Sequence, residues 1–228
     1  MKKLLVIIMT FVCIFSLAGC GDKNPDPVVG EYANHKQVLS LVDNYSVTGT
    51  NGFDYSLEQK LDGTVVNAHT ISIRLDNSNG TIGSRVEYKK DLNEDISKGQ
   101  YTEVSATAYY KNNKIATYIN ETWTWKNCTL DEFASINIDS FTFDINSLSN
   151  LNLSTSGKYA VLSFEIEDSK AASFLGVSGS VKDLSFEIKT DTTYSKLVSF
   201  TMSYSQNLTS TYFSFTPYSG SVNVDIPE

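Results

Sequence analysis

Cys20 is the residue whose surroundings most clearly specify a reaction. It closes the stretch Leu17-Ala18-Gly19-Cys20, which follows Lys2, Lys3 and an apolar run over residues 4–17. Small residues at 18 and 19 let the backbone lie extended in a peptidase site. The thiol at 20 is then the nucleophile that takes a diacylglyceryl thioether, before cleavage leaves it as the first residue. The apolar run is about 14 residues long, short of the ~20 that a helix needs to cross the hydrocarbon core. A cleaved signal over 1–19 is therefore expected, not a permanent span, with the remaining chain lipid-anchored through Cys20 on the extracytoplasmic face of the cell membrane.

The other residues capable of chemistry are dispersed. Cys13 leaves with the signal and Cys20 is consumed by lipid, so Cys128 is the one thiol left and no internal disulfide is expected. A nucleophilic cysteine needs a base and an electropositive setting; Cys128, following Trp123-Thr124-Trp125-Lys126-Asn127, reads as a small apolar residue. His35 and His69 stand alone, and neither a Gly-x-Ser-x-Gly elbow nor a His-Glu-x-x-His helix is present. Glu94-Asp95 and Glu165-Ile166-Glu167-Asp168 read as solvated strand edges and a helix start. No catalytic residue, metal ligand or cofactor is assigned, and a non-enzyme is expected. The formal net charge of −8 becomes −10 once Lys2 and Lys3 are removed with the signal, which repels phosphate backbones and argues against a nucleic-acid partner.

Trp123 and Trp125 stand two apart, on one face of a strand that the pattern extends back to Ile119. Such a pair packs in a core, lines an apolar cavity or stacks on sugar rings, and the sequence leaves all three uses open.

These side chains need elements to hold them. The polar segment at 20–30, with Pro25 and Pro27, reads as a tether, and residues 31–228 as one domain. Val38, Leu39, Val42 and Tyr45 fall at helical spacing, with His35 on the same side, and predict an amphipathic helix over 30–45. From there the period becomes two. Ile71, Ile73 and Leu75 alternate with polar residues before a turn at Asn77-Ser78-Asn79-Gly80, and strands over 101–110 and 115–125 flank a turn at Lys111-Asn112-Asn113-Lys114. Four more strands follow over 159–167, 181–189, 197–205 and 211–216, with a short helix over 168–176 between the first two. Residues 137–157 show no readable period. The pattern predicts a mainly β fold with few helices: eight or nine strands in a strongly curved antiparallel meander, an unclosed half-barrel covered by the N-terminal amphipathic helix and the short helix near 168–176.

The succession of elements resembles the LolA/LppX-like superfamily of bacterial envelope lipoproteins. The likeness rests on the early helix, the strand–turn–aromatic strand from Tyr109-Tyr110-Lys111-Asn112-Asn113-Lys114-Ile115 to Trp123-Thr124-Trp125-Lys126, and a closing strand at Phe213-Ser214-Phe215 followed by Val222-Asn223-Val224-Asp225-Ile226-Pro227. The resemblance implies a hydrophobic space between the sheet and its covering helices. Its candidate lining is Val38, Leu39, Val42, Ile71, Ile73, Trp123, Trp125, Leu162, Phe164, Phe186 and Phe200. The expected function is thus that of a monomeric, membrane-anchored lipoprotein binding a lipid or other hydrophobic small molecule inside a half-barrel. A non-enzymatic structural or carbohydrate-binding surface module is the competing expectation.

Overall fold

The computed structural model describes residues 29–92, 101–119, 121–136 and 141–226; Cys20, the tether and Glu94-Asp95 lie outside the described residues. Eleven antiparallel strands form one sheet: β1 (Gly52–Leu61), β2 (Thr64–Asp76), β3 (Ile82–Leu92), β4 (Tyr101–Lys111), β5 (Lys114–Ile119), β6 (Thr122–Asn127), β7 (Ser149–Ser156), β8 (Tyr159–Ile166), β9 (Val181–Asp191), β10 (Leu197–Gln206) and β11 (Thr209–Pro217). The order across the sheet is β6-β5-β4-β3-β2-β1-β11-β10-β9-β8-β7. The first and last strands therefore meet in the middle, and β6 and β7 are the two unpaired edges of an open, curved meander. A right-handed twist summed over this many strands requires the sheet to curl.

Both predicted turns form, the second for the predicted reason and the first with help from a residue outside the predicted cluster. Asn112 and Asn113 both take positive φ, 52° and 56°, which suits a two-residue hairpin between β4 and β5. Asp76 accepts from the backbone N–H (2.9 Å) and hydroxyl (2.7 Å) of Ser78 and so shapes the β2–β3 turn. The 115–125 run divides where one strand was expected. Glu121 turns with φ 63°, and β5 and β6 become a second hairpin, so Ile119 and the tryptophans lie on different strands. Two strands had no clear signal. β1 carries Phe53, Tyr55 and Leu57 at period two behind a glycine-bounded loop, and β7 lies in the stretch that showed no period. The closing segment is corrected too: β11 stops at Pro217 and 218–226 is not strand, while β11 itself is central, between β1 and β10.

Three α-helices among the described residues pack on the sheet. α1 (Val29–Asp43) buries His35, Val38 and Leu39 and leaves Val42 half-buried, against β9 and β10. α2 (Leu130–Phe133) is a single capped turn: the Thr129 hydroxyl accepts from the Glu132 N–H at 3.2 Å, and the Glu132 carboxylate accepts from the Thr129 N–H at 2.7 Å. α3 (Asp168–Leu175) ends at Gly176 in the left-handed conformation, as its sequence predicts. Glu167 occupies the cap position without a side-chain bond, and Asp168 instead accepts the Asp183 backbone N–H at 3.0 Å.

The chain must pass from the β6 edge to the β7 edge, at opposite ends of the sheet. The described parts of this connection place Phe133 of α2 and Phe143 in the core, with Phe141 packed against it. Gly83 makes room for it: a Cβ there would lie 2.8 Å from the Phe133 ring and 2.9 Å from Leu75.

Candidate functional site

The concave face is built from alternate residues of long strands, so its composition follows from register. Phe164 pairs with Phe186 across β8 and β9, Phe186 with Met202 and Ile188 with Phe200 across β9 and β10, and Phe200 with Phe215 across β10 and β11. Paired residues share a face. Phe164 and Phe186 stack with centroids 5.0 Å apart, and Phe186 and Phe200 at 6.1 Å. Rings from outside the sheet cover this row: Phe141, Phe143 and Phe174, and Tyr45, which meets Phe215 edge-on at 4.8 Å. Phe143 meets Phe164 edge-on at 5.1 Å and Phe186 at 5.3 Å, while Phe141 lies parallel to Phe174 of α3 at 5.9 Å. Edge-to-face and offset contacts at these distances each add ~0.5–1.5 kcal/mol beyond area burial.

Nine of the eleven residues expected to line an interior meet in this cluster. Val38, Leu39, Ile71, Ile73, Leu162, Phe164, Phe186 and Phe200 are buried in it, and Val42 packs against it. Sequence reasoning missed the rings that fill the space between sheet and helices: Phe133, Phe141, Phe143 and Phe174. The i, i+2 spacing of Phe141 and Phe143 was their one available signal. Two clefts among the described residues open at the surface, and the larger reaches the edge of this cluster at Ile166 and Leu184. A polar one of about 390 Å³ lies between Glu165 to Asp168 and Asp183 to Ser185, and a second of about 230 Å³ lies beside Glu58, Lys60 and Tyr212.

Trp123 and Trp125 do not face this interior. Trp125 pairs with Ala116, which pairs with Tyr109, whereas the core-facing residues of β4 are Ala108 and Tyr110. The tryptophans therefore project from the convex side, where Trp125 is 41% exposed and Tyr118 is 58% exposed. The Trp123 ring is not coplanar with its neighbours: it stands at 70° to Tyr109 and 51° to Tyr118, each 5.2 Å away.

Toward β3 the concave face turns ionic. Glu87 accepts from His69 Nε2 at 2.9 Å and from Arg85 Nη2 at 3.0 Å, and pairs with Lys89 Nζ at 2.9 Å. Burial alone would raise the Glu87 carboxyl, but hydrogen bonds from Lys89, Arg85 and His69 outweigh it and hold the group at about 2. Arg85 also donates to the carbonyls of Phe133 at 2.9 Å and Ser135 at 2.7 Å, which ties the end of α2 to the sheet. Val104, two strands from His69 on the same row, is 54% exposed, so this end of the concave face is open to solvent. Cys128 is half-buried, and burial followed by the Glu132 charge pushes its thiol up, away from the thiolate that nucleophilic chemistry needs.

No family model and no curated protein matches the chain. Among solved structures it is similar to the crystal structure of LprF from Mycobacterium bovis, with TM-score 0.41 and 11% identity over 86% of this chain and 97% of that one. It is also similar to the hypothetical protein CT021 from Chlamydia trachomatis, with TM-score 0.27 and 9% identity over 84% of this chain and 97% of that one. The likeness is in the course of the chain, at identities too low to carry residues across.

Proposed function

We propose that the chain is a lipoprotein anchored through Cys20 outside the cytoplasm, and that its curved sheet binds a hydrophobic molecule on the concave face. The observation that supports this reading is the composition of the cover. A sheet buried in a sandwich faces a second sheet; here a row of sheet phenylalanines is closed by Phe141, Phe143 and Phe174 from the β6–β7 connection and one short helix. An acyl chain takes the place of such rings without breaking a strand ladder, and the open ionic end beside Val104 offers its polar head a solvated exit. No catalytic step and no cofactor enters this reading, and the partners are a bilayer and the bound amphiphile.

Native mass spectrometry of the full-length chain, released from detergent, tests it. Adducts of lipid mass that disappear on organic extraction are the expected result. A clean unliganded mass, with no uptake of a fluorescent fatty acid, refutes interior binding. In Phe143→Ala the opened space is expected to raise fatty-acid uptake even as stability falls.

A further inference from the structure

We infer that the convex face of β4–β6 is a docking surface for the headgroup region of an anionic bilayer. Register brings two kinds of residue together there. Lys111 and Lys114 pair directly across the β4–β5 hairpin, and their row continues to Ile82 on β3 and Asn127 on β6. The next row inward holds Tyr109, Ala116 and Trp125, and beside it stand Tyr118 and Trp123. Ala116 is buried beneath these rings yet does not belong to the main core, so the aromatics form a separate surface cluster with exposed Val86 on its inner side.

Two features point to an anionic, amphipathic occupant. Like charges directly opposite each other on neighbouring strands are destabilising, and neither Lys111 nor Lys114 has an ion pair to an acid among the described residues. A phosphate between them would remove that repulsion. The convex positions of β4–β6 from Ser105 onward bear no acid, in a chain whose formal net charge is −8. Tyrosine and tryptophan next to lysine is also the composition that settles at a bilayer interface, rings among the glycerol and carbonyl groups and ammonium at the phosphates. The rings of Tyr109, Trp123 and Tyr118, inclined at 70° and 51°, do not form one flat platform for a sugar. This surface is on the opposite side of the sheet from the phenylalanine cluster, so the inference stands apart from interior binding.

Trp123 and Trp125 are the only tryptophans in the chain, so tryptophan emission excited at the red edge, where tyrosine does not absorb, reports this face alone. The full-length chain is reconstituted into phosphatidylcholine vesicles with and without about one third phosphatidylglycerol, each with and without brominated acyl chains. A blue shift and bromine quenching in the phosphatidylglycerol vesicles, lost in high salt where the Debye length falls to ~3 Å, are expected. With roughly 1 kcal/mol per surface lysine, Lys111→Gln and Lys114→Gln should each lower the docked-to-undocked ratio about fivefold and together about 25-fold. Both positions are exposed, so circular dichroism of the variants should match the parent. Equal quenching in both vesicle types, or no change from the emission in detergent, overturns the inference. So does emission that responds to soluble cell-wall glycan fragments and not to vesicles. Lipid adducts seen by native mass spectrometry should persist in both lysine variants, which keeps a failure here distinct from a failure of interior binding.

Discussion

At the residue scale, neighbours in sequence have opposite fates because the strand period is two. Phe164 is 1% exposed and contacts Phe143 and Phe186, while Glu165 points outward and accepts an Asn150 Nδ2 hydrogen bond at 2.5 Å. Phe164→Ala removes a ring from a packed cluster and should cost about 3–5 kcal/mol. Glu165→Ala loses one exposed hydrogen bond and should cost about 0.5–1 kcal/mol. Chemical denaturation of the two variants measures the contrast. Because a register slip by one residue exchanges the faces, equal losses would rule out this placement of β8.

At the element scale, Glu87 joins β2, β3 and, through Arg85, the end of α2. Its carboxyl is held near 2 against an ordinary 4.5, so its ionised form contributes stability that is fully present above about pH 4.5. That contribution is lost as pH falls toward 2. The Lys89 side chain is half exposed, so solvent screening reduces the worth of the cluster to about 2 kcal/mol. Glu87→Gln should therefore lower stability by roughly that amount at pH 7, and the gap between variant and parent should close by pH 2. Urea melts at pH 7, 4 and 2 check this, and a gap that stays constant over the range contradicts it.

At the scale of the whole molecule, the proposed anchor sets where the sheet works. If Cys20 carries the lipid, Cys20→Ala should abolish signal-peptidase processing and shift the chain from the lipidated product to an uncleaved precursor. Metabolic labelling with a radioactive fatty acid distinguishes the two forms. Label retained in Cys20→Ala would place the acyl group elsewhere and end the anchoring proposal.

Much of the sheet was legible locally because a β-strand with one buried face writes its register in alternating side chains: Ile71/Ile73/Leu75 and Leu162/Phe164/Ile166 show it directly. The paired asparagines at 112 and 113 likewise announce their turn, since positive φ is a local property of the residue. The burial of the residues expected to line the interior was legible for the same reason wherever they lay on those strands or on α1. What lay beyond reach was everything set by which edge meets which. Period two gives Trp123 and Trp125 a common face without saying which face, and only pairing with Ala116 and Tyr109 turns them outward. Likewise, Phe141 and Phe143 lie in a segment with no period of its own. They pack in the interior because β1 pairs with β11, which puts β6 and β7 at opposite ends of the sheet and leaves the residues between them to be placed by contacts with distant strands. Strand identity is a local matter of side-chain alternation, but the contents of the interior depend on contacts between residues far apart in the chain, and only the tertiary structure decides those.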